Sequence, residues 1–151
     1  MIQGIITQNV DGFHQRAGSK KVYELHGSIN QLACLSCNRK YPSKKYLEED
    51  GSFCECGGFL RPTVVLFGEE LPKEAVQHAD GEVEKADLFI VLGSSLQVSP
   101  ANYYPIKAKK NRVKLVIVNI EPTEMDGYAD LVINNRKIGD VLQEVNKELV
   151  G

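Results

Sequence analysis

Leu88-Phe89-Ile90-Val91-Leu92-Gly93-Ser94-Ser95 decides the class of fold. Five apolar residues in unbroken succession form the pattern of a parallel strand buried on both faces, because alternation disappears where neither face meets water. Leu115-Val116-Ile117-Val118 repeats the signature, and Leu131-Val132-Ile133 is a shorter third copy. Upstream, residues 2–8 read as a short apolar strand that runs out into polar residues. Residues 72–86 read as a helix: Pro72 suits the first turn, and Val76, Ala79, Val83 and Ala86 share one face, although Gly81 weakens it. Ile138, Val141, Leu142, Val145 and Leu149 form an apolar stripe on a closing helix. Strands alternating with helices imply right-handed crossovers, hence an α/β fold with a parallel sheet and helices on both faces, Rossmann-like in plan.

In such sheets ligands bind beyond the carboxyl ends of the strands. Thr7–Asp11, Gly93-Ser94-Ser95 and Asn119-Ile120-Glu121 each follow an apolar strand, so all three are expected at one sheet edge. Gly93 would let a ligand approach the backbone, the serines supply hydroxyls, and Glu121 is placed to accept ribose hydroxyls. A Gly-Ser-Ser turn alone is commonly only a turn; its recurrence in kind after successive strands is what raises a nucleotide site. No Gly-x-Gly-x-x-Gly occurs, so the phosphate-binding half of a dinucleotide fold is not expected in this chain.

The 151 residues are 42% apolar, 25% charged and 7% aromatic, with a formal charge of −2. A chain of this length buries roughly 68–70% of its unfolded surface, enough for a core. The composition excludes a disordered or collagen-like chain, and the near-neutral charge gives no reason to expect direct nucleic-acid binding. No apolar run approaches the ~20 residues of a membrane span, and no basic stretch precedes an apolar N-terminal segment. No membrane partner is expected.

Four cysteines stand in two close pairs, Cys34-Leu-Ser-Cys37 and Cys54-Glu-Cys56, separated by residues 38–53. That is the spacing of a structural zinc site in which two tight turns close a shell of four thiolates. Gly57 and Gly58 suit the sharp turn after the second pair, although a Cys-x-Cys pair is one residue tighter than usual. Two disulfides or redox-active thiols are the alternatives. Disulfides need an oxidising compartment, and nothing in the sequence suggests export, so the expected location is cytoplasmic. A closed shell of four thiolates leaves no position for water, and such a metal holds structure without performing chemistry.

Each of the three histidines is a candidate base near neutrality. His78 reads as a solvated helix residue and His14 as structural. His26, in Glu24-Leu25-His26-Gly27, stands just before the cysteine module beside a glycine that permits close approach. Spacing alone leaves its role open.

Taken in order, Thr7-Gln8-Asn9-Val10-Asp11-Gly12-Phe13-His14 with Ala17-Gly18, Glu24-Leu25-His26-Gly27, the cysteine module, residues 61–72 (Arg-Pro-Thr-Val-Val-Leu-Phe-Gly-Glu-Glu-Leu-Pro), residues 93–101 and Asn119-Ile120-Glu121 resemble the sirtuins, NAD-dependent protein-lysine deacylases. The resemblance implies NAD as co-substrate, one structural zinc ion, and an acyl-lysine protein or peptide as partner. In the family scheme the acyl oxygen of the lysine displaces nicotinamide, a histidine deprotonates a ribose hydroxyl, and O-acyl-ADP-ribose leaves with free lysine. ADP-ribosyl transfer is a weaker possibility on the same chemistry. His26 matches the family's base; Gln8, Asn9, Val10 and Asp11 match the nicotinamide and ribose end of the cofactor site. Gly93, Ser94 and Ser95 match the phosphate and adenosine-ribose segment, Asn119, Ile120 and Glu121 the adenosine-ribose contacts, and Ile138, more loosely, an adenine contact.

Val65 and Phe67 match residues that hold the acylated lysine, and Gly68, Glu69, Leu96, Gln97 and Val98 match the segments to which an extended peptide adds as a strand. Without its flanking motif Phe67 would read as an ordinary core aromatic. Cys34, Cys37, Cys54 and Cys56 match the zinc ligands, which implies a zinc-ribbon-like insert over residues 32–60 within an NAD-binding domain of residues 1–31 and 61–151. Gly-Ser-Ser stands where Gly-Thr-Ser is usual. The family's Gly-Ala-Gly-x-Ser turn and Pro-Asp-Phe-Arg loop do not occur in the chain, so a central strand and most of the pyrophosphate site are expected to be missing, with unpaired strand edges and exposed apolar surface as the result. A catalytically weak, zinc-stabilised binding fragment is the alternative to an active deacylase.

Overall fold

The computed structural model describes residues 2–150; Met1 and Gly151, the outer bounds of the expected NAD-binding domain, lie outside the described residues. The chain divides into two compact units, one ending at Ala79 and the other beginning at Asp80.

In the first unit, β1 (Ile5–Thr7) pairs in parallel with β2 (Val22–Glu24), with Thr7 opposite Glu24. The short helix α1 (Phe13–Arg16) lies between them. The first strand is thus shorter than the sequence suggests, and β2, whose three residues are too few to show a period, is not legible in it. The cysteine module follows as an antiparallel sheet of β3 (Gln31–Cys34), β4 (Lys40–Pro42) and β5 (Leu60–Pro62), with β3 in the middle. Leu32, Cys34, Cys54 and Leu60 make its small core, and Tyr41 packs against them.

The helix expected over 72–86 is α2 (Lys73–Lys85), which runs from the first unit into the second. Within its last turns Ala79 and Val83 are buried, as their shared face requires. The second unit contains a parallel sheet in the order β6 (Leu88–Leu92), β7 (Lys114–Val118) and β8 (Leu131–Ile133). The helix α3 (Tyr103–Lys110) packs on β6 and β7, and α4 (Ile138–Val150) closes the chain. Val91, Leu115 and Ile117 form the core, with Phe89, Leu96, Met125 and Ala129 around them.

Three expectations are corrected here. The run Leu88–Leu92 is buried on one face only: Leu88, Ile90 and Leu92 are 51%, 48% and 42% exposed, while Val91 is buried. Successive side chains alternate across a strand, so these three share one face, and among the described residues that face is only partly covered. Along α4 only Val141 is buried, while Leu142, Val145 and Leu149 stay exposed. The parallel strands also fall into two sheets, β1–β2 and β6–β7–β8, in place of a continuous one. No helix among the described residues is long and apolar enough to cross a membrane.

Candidate functional site

The histidine turn is built by backbone. The Leu25 N–H donates to the Thr7 carbonyl at 2.9 Å and the Ile29 N–H to the Val10 carbonyl at 3.0 Å, so the segment after β1 and the segment after β2 run together. Residues 8–11 therefore flank the turn that carries His26. Thr7 is buried and its hydroxyl accepts the Asn9 N–H at 3.1 Å. The Asp11 carboxylate accepts the Phe13 N–H at 2.9 Å, which starts α1, and its carbonyl accepts from Asn30 Nδ2.

On the other side of the turn stands the segment after β5. The Val65 N–H donates to the His26 carbonyl at 2.9 Å. Thr63 and Ser28 reciprocate: the Ser28 N–H donates to Thr63 Oγ1 at 3.2 Å, and that hydroxyl donates to the Ser28 carbonyl at 3.1 Å. Gly27 makes this approach possible. Its φ is +70°, and a Cβ there would lie 1.8 Å from the Thr63 carbonyl oxygen. His26 and Val65 are thereby held side by side, and His26 stays half-buried beside them.

Residues 66–69 form a turn closed by the Glu69 N–H donating to the Leu66 carbonyl at 3.0 Å. Phe67 at its tip is fully exposed, at 107%, so it is not a core aromatic. The Glu69 carboxylate is engaged within the loop, accepting from Arg61 at 2.7 Å and from the Leu66 N–H at 2.9 Å. The Arg61 hydrogen bond, followed by that N–H, holds the carboxyl below its ordinary range.

In the second unit the carboxyl ends of the strands carry the residues read as cofactor contacts. Gly93 follows β6 with φ +62°, its N–H donates to the Val118 carbonyl at 2.9 Å, and a Cβ on it would meet Ile138 Cδ1 at 2.6 Å. Gly93 and Ile138 therefore touch, which only tertiary packing could show. The Asn119 N–H donates to the Ile133 carbonyl at 3.1 Å, and Asn119 Nδ2 to the Glu121 carbonyl at 2.8 Å. Ile120 and Glu121 are exposed. Ser94 Oγ accepts the Leu96 N–H at 3.2 Å. Ser95 is exposed, as are Gln97 and Val98, whereas the Leu96 side chain joins the core.

The four cysteine sulfurs lie within 4.8 Å of one another, with Cys34 Sγ to Cys56 Sγ at 3.5 Å and Cys37 Sγ to Cys54 Sγ at 3.6 Å. A tetrahedron of zinc–sulfur bonds of about 2.3 Å has edges of about 3.8 Å, so the cluster fits that ion. The separations are far from the ~2.05 Å of a disulfide. The Cys56 backbone N–H, then the Tyr41 hydroxyl, bring the Cys54 thiol down to about 6, toward the thiolate a metal needs. The four cysteines fit a structural zinc site.

The sequence assigns no role to Thr63, Arg61 or Tyr41, although the first two stand in the quoted motif and the third within the cysteine module. Thr63 meets Ser28 from 35 residues away, and no local pattern announces such a partner.

A histidine turn hydrogen-bonded to the segment after β5, a four-cysteine module between the two in sequence and a parallel sheet further along define an α/β chain with an inserted metal ribbon. The Sir2 family model matches residues 1–100. The chain is 58% identical over 149 residues to "NAD-dependent protein deacetylase 1" of Geobacillus kaustophilus, covering 99% of this chain and 61% of that protein. It is 56% identical over 148 residues to "NAD-dependent protein deacetylase" of Oceanobacillus iheyensis, covering 98% of this chain and 62% of that one. A solved structure described as "Sir2-p53 peptide-NAD+" superposes with a TM-score of 0.86 at 43% identity, over 97% of this chain and 63% of the other. The chain belongs to the Sir2 family. It spans about three fifths of the length of these curated relatives.

Proposed function

We propose that this chain carries the base, the acyl-lysine loop and the zinc ribbon of a NAD-dependent protein-lysine deacylase. The observation that supports the reading best is the 2.9 Å hydrogen bond from the Val65 N–H to the His26 carbonyl, which seats the proposed base against the proposed lysine-binding segment. NAD, when bound, supplies an electrophilic ribose carbon with nicotinamide as leaving group. His26 would take the proton from a ribose hydroxyl, acting as a positioned general base. Val65 and Phe67 would flank the acylated side chain, and Gly68-Glu69 and Leu96-Gln97-Val98 would each offer main-chain groups to an extended peptide.

Gln8, Asn9, Val10 and Asp11 would line the nicotinamide and ribose end. Gly93, Ser94 and Ser95 would stand beside the phosphates, with Asn119, Ile120, Glu121 and Ile138 toward the adenosine. The close packing of Gly93 on Ile138 supports grouping these in one half of the site. Residues 32–60 would be the zinc insert of the domain formed by residues 1–31 and 61–151. Thiolates must stay reduced to hold zinc, which supports a cytoplasmic location.

The test is nicotinamide release from NAD driven by an acetyl-lysine peptide. The expected result is release that falls by roughly 10²–10⁴ in His26→Ala while peptide affinity holds. Undiminished release in that variant refutes the assignment of the base. Peptide binding without release by the unsubstituted chain would favour a second reading, a zinc-stabilised binding module. That reading is supported by the half-exposed face of β6, where Leu88, Ile90 and Leu92 meet solvent.

A further inference from the structure

We propose that the Tyr41 hydroxyl is a hydrogen-bond donor to the metal-bound sulfur of Cys54, positioning that ligand and setting how tightly the four-cysteine shell holds zinc. The inference rests on reading the cluster as a zinc shell. Tyr41 Oη lies 3.2 Å from Cys54 Sγ. A metal-bound thiolate can only accept, so the hydroxyl donates.

The ring is placed by packing and not by the sulfur. Tyr41 sits on β4 opposite Leu32 and packs on the core of Leu32, Cys34, Cys54 and Leu60. The Lys45 ammonium stands over the ring at 5.7 Å, and the Arg39 guanidinium, paired with Glu55, lies beside the hydroxyl. Four thiolates around one divalent ion leave two negative charges in excess, in a module where Cys34 and Cys54 are buried. Donors aimed at sulfur offset that charge, and partners behind metal ligands commonly govern affinity. The Ser36 N–H, 3.4 Å from Cys34 Sγ, supports the other pair in the same way. Each cysteine pair thus has a donor from outside the ligand set, and in the second pair the Gly58 N–H also reaches Cys56.

Tyr41→Phe keeps the ring and deletes the donor. Tyr46→Phe is the control: its hydroxyl donates to the Leu60 carbonyl at 2.8 Å in the same module. The full chain is loaded with zinc, or with cobalt(II) as a spectroscopic probe. Tyr41→Phe is expected to shift the sulfur-to-cobalt charge-transfer band and to weaken zinc retention against a chelator by about 10-fold or more. Tyr46→Phe is expected to leave the band in place. A Tyr41→Phe protein with the wild-type band and wild-type zinc retention overturns the proposal, as does an equal effect of Tyr46→Phe, which would indicate general loosening. A wild-type chain that takes up no cobalt and no zinc overturns the metal reading itself, and the proposal with it.

Discussion

Replacing Gly27 with alanine tests the junction on which the proposed site depends. The new Cβ would lie 1.8 Å from the Thr63 carbonyl oxygen, 2.7 Å from its carbon and 3.2 Å from the Val64 nitrogen, and side-chain rotation cannot relieve contacts made by Cβ itself. Residues 63–65 must move away by more than an ångström. That movement breaks the Val65–His26 hydrogen bond and both Ser28–Thr63 bonds. At about 1 kcal/mol each, these three contribute about 3 kcal/mol. The left-handed backbone at φ +70° adds about 1 kcal/mol for any residue with a Cβ.

Gly18 separates the two causes, because its φ is +93° and a Cβ there would meet nothing within 4 Å. Gly18→Ala therefore carries the conformational cost alone, about 1 kcal/mol. For a chain of this size each kcal/mol moves the melting temperature by roughly 2–4 °C, so Gly27→Ala should melt roughly 8–16 °C lower and Gly18→Ala roughly 2–4 °C lower. Thermal unfolding followed by circular dichroism reads both. Equal losses in the two variants would refute the claim that the close approach to Thr63, and not backbone conformation, makes glycine necessary at position 27.

Removing the metal with a chelator, or substituting Cys37→Ser, should abolish stoichiometric zinc in elemental analysis and collapse amide-exchange protection in β3, β4 and β5, since structural zinc supplies folding energy outright. Asp130 is held below its ordinary value of 3.8 by the Lys109 ammonium and then by the Leu115 N–H, and Asp126 is likewise lowered by the Thr123 hydroxyl and then Asn134. A depressed carboxylate adds stability that is present above the unfolded value and is lost as pH falls through the folded one. Stability should accordingly hold above about pH 4–5 and decline below 3.8, with a shallower acid decline in Asp130→Asn, checked by urea denaturation across pH. Lys107→Met, which breaks ion pairs to Asp80 at 2.8 Å and Glu84 at 3.0 Å, should cost less than about 1 kcal/mol in the same assay because all three groups meet solvent.

Much of the fold is written locally. The apolar runs 88–92, 115–118 and 131–133 form strands because β-branched and bulky apolar residues suit the pleated surface of a sheet, and α2 and α4 form where apolar residues return every three or four positions. The cysteine pairs announce their cluster because each pair needs only a tight turn. Elements without a period were not legible: β2 is three residues long, and α3, with Tyr-Tyr-Pro ahead of lysines, has little amphipathic contrast. Exposed apolar surface is expected from the motif order, but that Leu88, Ile90 and Leu92 carry it is not legible, since a run of apolar residues is the same string whether or not a second layer covers it.

The sequence by itself therefore determined the family, the α/β class and the residue types available for chemistry, because motif order and periodicity are properties of the string. Tertiary structure decided which of those residues meet: His26 with Val65, Gly93 with Ile138, Tyr41 with Cys54. Such contacts join positions 13 to 45 residues apart through hydrogen bonds and close packing, and neither leaves a periodic trace along the chain.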